Sequence, residues 1–203
     1  MSVIKDPDTG VLRDINETMY GQRDPLGTPT PVACEVDPDG PWLVMIDQPH
    51  HQIHEGERFV WNYEDSSMTT NDTLVMCITP SAGTYAHFEY AVTCPVEFTL
   101  ALYEAPTLSA SGTAIASLNR DRPSTKVSGC VVTHTPTVSG GANGTLLEKY
   151  YLGGGNQRAG GSLRSVSEWV LTPATIYMLV VTSRATGNAC SAIIDVYVEG
   201  ATT

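Results

Sequence analysis

A chain of 203 residues can hold one domain with a full core, or a domain plus an arm, and its 41% apolar, 16% charged composition with 18 glycines and 13 prolines suits many short strands and turns. A net charge of −11 repels phosphate backbones, which argues against nucleic acid as a partner. No window keeps helical periodicity over three turns, so the expected fold is all-β.

Residues 1–41 read as an extended, acidic, proline-rich N-terminal arm. Prolines recur in Asp6-Pro7-Asp8, in Arg23-Asp24-Pro25-Leu26-Gly27-Thr28-Pro29-Thr30-Pro31 and in Asp37-Pro38-Asp39-Gly40-Pro41. That density favours extended or polyproline-like backbone. Residues 1–65 hold 13 of the 22 acids but 4 of the 11 bases. The arm has few apolar residues to pack on its own body, so the expectation is that it docks on a neighbouring subunit or partner. Its candidate contact residues are Tyr20, Arg23, Asp24, Pro25, Leu26, Pro29 and Pro31. No apolar signal region follows Met1 and no run approaches the ~20 residues of a membrane span, so synthesis in a cytosol without membrane contact is expected.

The body, residues 42–203, opens on the apolar run Trp42-Leu43-Val44-Met45-Ile46, which suits a buried strand. After the turn at Glu55-Gly56, Phe59, Trp61 and Tyr63 share one strand face. Strands follow at 73–79 and 84–93, the latter with Phe88, Tyr90 and Val92 on one side. The tight Cys94-Pro95 corner suggests a hairpin between 84–93 and 95–104, where Phe98, Leu100 and Leu102 alternate with smaller or polar residues. Short strands at 113–118, 126–134, 144–152 and 164–171 are separated by turns rich in Gly and Pro, and by the charged loop Asn119-Arg120-Asp121-Arg122-Pro123. A final hairpin pairs 175–183 with 190–199, with Ile176, Met178 and Val180 on one face and Ile194, Val196 and Val198 on its partner's. Roughly ten strands in this length predict an antiparallel β-sandwich, jelly-roll-like, with the N-terminal arm attached.

The residues that could carry chemistry form no recognisable catalytic set. His50, His51 and His54 lack a common face if the segment is extended, and no Cys or carboxylate stands at ligand spacing, so no metal is expected. Gly153-Gly154-Gly155-Asn156-Gln157-Arg158-Ala159-Gly160-Gly161 lacks the Lys-Ser/Thr of a phosphate loop and reads as a flexible contact loop. Glu97, Glu104, Glu148 and Glu168 fall near strand ends, where solvated charge is normal. Tyr85, Tyr103, Tyr150, Tyr151 and Trp169 are read as core-filling, with a sugar-stacking platform as the alternative. Cys34, Cys77, Cys94, Cys130 and Cys190 are widely spaced. Buried thiols are the default in a reducing compartment, and a disulfide formed in an oxidising medium stays open. The sequence therefore predicts neither an enzyme nor a cofactor.

Several segments together carry a resemblance: His54-Glu55-Gly56-Glu57-Arg58-Phe59, Leu102-Tyr103-Glu104-Ala105-Pro106-Thr107, Gly112-Thr113, Leu118-Asn119-Arg120-Asp121-Arg122, His134-Thr135-Pro136-Thr137-Val138, Gly144-Thr145-Leu146-Leu147-Glu148, Gly153-Gly154, Glu168-Trp169-Val170-Leu171 and Tyr177-Met178-Leu179-Val180-Val181-Thr182. Through them, residues 50–199 resemble a family of small all-β structural proteins encoded in tailed bacteriophages and prophages. The resemblance implies a virion structural protein assembled in the host cytoplasm, and carries no catalytic residue. The long arm and the five cysteines depart from the family pattern. The leading expectation is a capsid decoration (cement) protein, trimeric, bound to the major capsid protein or other virion proteins. The alternative is a neck, collar or tail-fibre component that binds a host-surface glycan.

Overall fold

The computed structural model describes residues 3–5, 12–14, 34–36, 43–45, 48–153, 161–165 and 168–198. The chain divides into two compact units, Met1–His51 and Gln52–Thr203. In the first unit β1 (Val3–Lys5) pairs antiparallel with β2 (Leu12–Asp14), and β3 (Cys34–Val36) with β4 (Leu43–Met45). The apolar run expected to open the body thus supplies a strand that pairs with Cys34–Val36 and joins neither of the large sheets.

The histidine segment is helical, contrary to the extended reading. α1 (Gln48–His54) carries Pro49 in its first turn, where a missing N–H costs nothing. It ends on Gly56 at φ +70°, with Gly56 N–H donating to Ile53 O and Glu57 N–H to Gln52 O, both at 2.9 Å. This paired closure satisfies carbonyls that the helix end would otherwise leave open. Two turns of helix fall below what a three-turn periodicity test can detect.

The second unit is built from antiparallel sheets, which bears out the all-β expectation. Its long strands are β5 (Arg58–Met68), β6 (Thr73–Pro80), β7 (Ala86–Cys94) and β8 (Phe98–Glu104). A short ribbon and edge pieces follow: β9 (Leu108–Ala110), β10 (Thr113–Ile115), β11 (Leu118–Asn119), β12 (Cys130–His134) and β13 (Thr137–Val138). Then come β14 (Thr145–Leu152), β15 (Gly161–Arg164), β16 (Trp169–Leu171), β17 (Tyr177–Ser183) and β18 (Asn188–Val198). One six-stranded sheet runs β10-β12-β6-β17-β8-β14, and the other runs β11-β5-β18-β7-β15, with β16 also on β7. Gly144, at φ +86°, immediately precedes β14 at a point where a Cβ would stand 2.1 Å from Glu104 O, so no other residue fits that approach.

Both expected hairpins are instead crossings between sheets. β7 pairs with β18 and β8 with β17, while β17 and β18 themselves lie in different sheets. The physical reason lies at the corners. Pro95 cannot donate to a ladder, and the polar groups exposed by the two chain reversals satisfy one another. Asn188, fully buried, accepts from Val96 N–H at 3.3 Å and donates to Glu97 O at 3.3 Å and Ser183 Oγ at 3.1 Å. Arg184 N–H donates to Glu97 O at 3.0 Å. Beside this knot Cys94 and Cys190, directly opposed on β7 and β18 with Cα atoms 4.4 Å apart, form a disulfide. Cys77 and Cys130 are free thiols.

One hydrophobic core draws on the inner faces of both sheets: Phe59 and Trp61 from β5, Phe88 and Tyr90 from β7, Phe98, Leu100 and Leu102 from β8, and Ile194 and Val196 from β18. On β17 the inward residues are Tyr177, Leu179 and Val181, whereas the expected Met178/Val180 face points outward. Both faces of this central strand are apolar, so alternation cannot say which one meets the core. Burying a side chain such as Phe98 contributes about 2–3 kcal/mol, and a charge there has no partner. Phe98→Asp should abolish cooperative unfolding by circular dichroism, whereas Val180→Asp, on the outer face, should keep it; the reverse order would refute the inward assignment.

Candidate functional site

The outer face of the second sheet carries a row of charges set by strand register. Tyr197 stands between Arg58 and His87, and Asp195 between Val60 and Glu89, so these side chains share one face. Arg58 Nε donates to Asp195 Oδ1 at 2.9 Å, and its other arm to Glu89 Oε2 at 3.0 Å. Arg120, from the loop after β11, reaches Asp195 Oδ2 at 2.6 Å, and Arg164 on β15 reaches Glu89 Oε2 at 3.1 Å. The result is a chain of alternating charge, Arg120–Asp195–Arg58–Glu89–Arg164, across four strands and a loop. Arg58 and Asp195 are almost wholly covered and the two outer arginines are open, Arg164 with 66% of its side chain exposed. Burial alone would lower the pKa of the Arg58 guanidinium, but the Asp195 and Glu89 carboxylates outweigh it and the pKa is raised.

Next to this row, His87 and Tyr197 stack at 4.1 Å between ring centroids. His87 Nδ1 lies 2.5 Å from Glu168 Oε1, which also accepts from Tyr197 OH at 3.2 Å.

Inside the first sheet's margin lies a second cluster, of carboxylates and phenols. Glu148 on β14 accepts from Tyr90 OH, which arrives from the opposite sheet, and from Tyr150 OH at 3.1 Å. Burial, with the Glu148 contact second, pushes the Tyr90 phenol well above its ordinary range. The Glu148 hydrogen bond is the main cause of the rise at Tyr150. Glu104 on β8 accepts from Tyr177 OH at 2.7 Å, and Tyr177 in turn accepts from Thr172 N–H at 3.0 Å. Three of the four carboxylates read as solvated strand-end charges, Glu104, Glu148 and Glu168, are therefore held by tyrosine or histidine. The sheet crossings bring these partners together, and no local sequence pattern encodes them.

The seven arm residues Tyr20, Arg23, Asp24, Pro25, Leu26, Pro29 and Pro31 lie outside the described residues, as does most of the glycine-rich loop. His50 and His54 sit four apart on α1, both exposed, and His51 is half-buried. Among the described residues no group of three or more His, Cys, Asp or Glu is placed to hold a metal ion. The five aromatics read as core-filling divide: Tyr85 and Tyr151 are 62% and 69% exposed, and Tyr103, Tyr150 and Trp169 are half-buried. The deep aromatic packing comes from Phe59, Trp61, Phe88, Tyr90 and Phe98 instead. In the sequence Arg58, Asp195 and Glu89 have no role as a charged set, although Arg58 lies in one of the segments that carry the resemblance. Their one signal was an acid inside an apolar strand, Ile193-Ile194-Asp195-Val196.

The outer face of the first sheet has the opposite character. Register puts Thr73, Val75, Cys77 and Thr79 of β6, Met178, Val180 and Thr182 of β17, and Thr99, Ala101 and Tyr103 of β8 on it. β14 adds Leu146, Lys149 and Tyr151, and Lys149 is the single charge among all these positions. The centre of the face is closed, with Cys77 and Met178 buried, while Leu146 and Tyr151 at the β14 margin are exposed. Lys149 Nζ lies 5.1 Å from the centre of the Tyr151 ring.

No family model, no curated protein and no solved structure matches this chain.

Removing Asp195 would leave the Arg58 charge buried with half its partners gone, a change that costs about 3–5 kcal/mol for buried pairs. Asp195→Ala should lower the urea midpoint accordingly, and Arg164→Ala, at the exposed end, should shift it by less than about 1 kcal/mol. Equal effects would refute the graded burial of the row. The thiols give a pH test. Burial pushes Cys77 and Cys130 up to about 12 from an ordinary 9.0. A group whose folded pKa is raised gives stability that is complete below its unfolded pKa and is lost as pH climbs toward the folded one. The urea midpoint should therefore fall between pH 9 and about 12, and Cys77→Ala should shrink that fall; a flat profile would contradict the burial.

Proposed function

We propose that the protein is a structural component of a bacteriophage virion, a capsid decoration protein that binds the outer head surface and stabilises it through contacts between subunits. The body would be a jelly-roll-like β-sandwich. In support, the chain passes from one sheet to the other at β5–β6, β6–β7, β7–β8 and β17–β18, the alternation that jelly rolls use. The partners would be the major capsid protein or other virion proteins together with sister copies, as a trimer, and the acidic arm would lie along them.

The observation that carries the reading is the β14 margin. Copies of a chain with net charge −11 repel one another. They approach at least cost where acids are absent, and at this margin Leu146 and Tyr151 are exposed, Lys149 is the one charge, and Glu148 turns inward to its tyrosines. A sister subunit is the occupant that this charge pattern favours. Closed cyclic assembly is the ordinary outcome of such a repeated contact.

Sedimentation should give an oligomer for the full chain and a monomer, still folded, for the Leu146→Glu, Tyr151→Glu double variant. Deleting residues 2–40 should abolish binding to empty heads while the body stays folded. Unimpaired head binding by that deletion would sink the decoration role. Binding to host polysaccharide through exposed Tyr85 or Tyr151, with no affinity for heads, would favour a tail or neck component instead.

A further inference from the structure

We propose that the Cys94–Cys190 bond is a lock set after folding: the body folds with both thiols reduced, and oxidation then closes the bond in place with the strand register unchanged. The fold does not need the bond to bring the cysteines together. β7 and β18 are paired residue by residue from Thr93↔Ser191 to Ala86↔Val198, and this ladder alone sets Cys94 opposite Cys190. The Asn188 hydrogen bonds to Val96, Glu97 and Ser183 hold the same two corners without covalent help. A Cα separation of 4.4 Å is that of a pair lacking mutual backbone hydrogen bonds, in which side chains lie closest. Oxidation therefore asks for no change of register.

Access is the controlling step. Both cysteines are 1% exposed, so a small disulfide such as oxidised glutathione reaches them only when the corner opens. One protein thiolate attacks the glutathione disulfide, forms a mixed disulfide and releases one glutathione thiolate. The second protein thiolate then attacks the protein-bound sulfur, closing the Cys94–Cys190 bond and releasing the second glutathione. Two thiol protons pass to solvent or to the leaving thiolates, and the two electrons leave with glutathione. Asn188 is the gate, because its three hydrogen bonds must break for the corner to swing. Cys77 and Cys130 lie on other strands and take no part in the bond. The bond ties residues 96 apart in sequence, so closure restricts the unfolded chain strongly.

The test uses the full chain made in a reducing cytosol, with thiols trapped by alkylation under denaturing conditions. The chain as made should carry both Cys94 and Cys190 as alkylated thiols and should already show the β circular dichroism of the final protein. Incubation with oxidised glutathione should then link the two tryptic peptides and raise the melting temperature by on the order of 10 °C. Asn188→Ala should speed closure roughly tenfold or more. The double variant Cys94→Ala, Cys190→Ala should fold and melt like the reduced chain, unaffected by glutathione. The proposal is overturned if the bond is complete in the cytosolic chain, if the double variant is unfolded, or if folded reduced protein stays open under oxidised glutathione. A closure rate that Asn188→Ala leaves unchanged overturns the gate.

Discussion

Two chain reversals at one end of the body set where everything else can go. At Cys94–Glu97 and at Ser183–Asn188 the chain leaves one sheet for the other, and Val96 and Glu97 at the first reversal are half-buried while Ser183, Ala185 and Asn188 at the second are buried. A buried unpaired amide or carbonyl costs about 1–3 kcal/mol, so such corners persist only if something supplies partners. Asn188 does so, with its oxygen on the first corner's N–H and its nitrogen on that corner's carbonyl and on the second corner's Ser183. Because one side chain serves both reversals, neither corner can form well without the other. That coupling places β8 beside β17 and β7 beside β18, and so fixes the centres of both sheets.

Once the centres are fixed, register distributes charge. A strand's side chains alternate between faces, so each residue's parity decides whether it meets the core, solvent or a neighbour. In the second sheet the outward parity collects Arg58, Asp195, Glu89 and Arg164 into one row. In the first it collects Thr, Val, Ala and Met with Lys149. The asymmetry does not follow from composition, since both sheets come from the same acidic chain. It follows from which parity each strand commits inward, and it leaves one side of the body ionic and the other close to neutral.

Much of this was legible in the sequence, and the failures have identifiable causes. Strand existence was readable wherever one face is apolar, as in Phe59-Val60-Trp61 or Phe88-Glu89-Tyr90. Pairing was not. Short connections such as Cys94-Pro95 suggest hairpins, but proximity in sequence says nothing about whether a corner turns within a sheet or between sheets. Central strands also hide their orientation: Tyr177-Met178-Leu179-Val180-Val181 is apolar at every position, so Met178 and Val180 looked as good a core face as Tyr177 and Leu179. The charged row was the least visible part, because its members stand up to 137 positions apart in the chain. A single acid amid Ile193, Ile194 and Val196 was its only trace.

That acid explains why the register cannot slide. Moving β5 one residue past β18 would turn Arg58 into the core and Phe59 out to water, exchanging a paired charge for an unpaired buried one. Hydrophobic packing alone penalises such a slip less where both faces carry apolar residues, as Val60 and Ile193 do on the outer side. The Arg58–Asp195 contact adds little net stability over an apolar pair of the same shape, since both charges had to leave water. Its effect is on the alternatives. Each one-residue slip strands Arg58 or Asp195 without a partner, so the ion row adds its own penalty to the one the core imposes through Phe59 and Trp61, and the open arginines at its ends keep that row in contact with solvent.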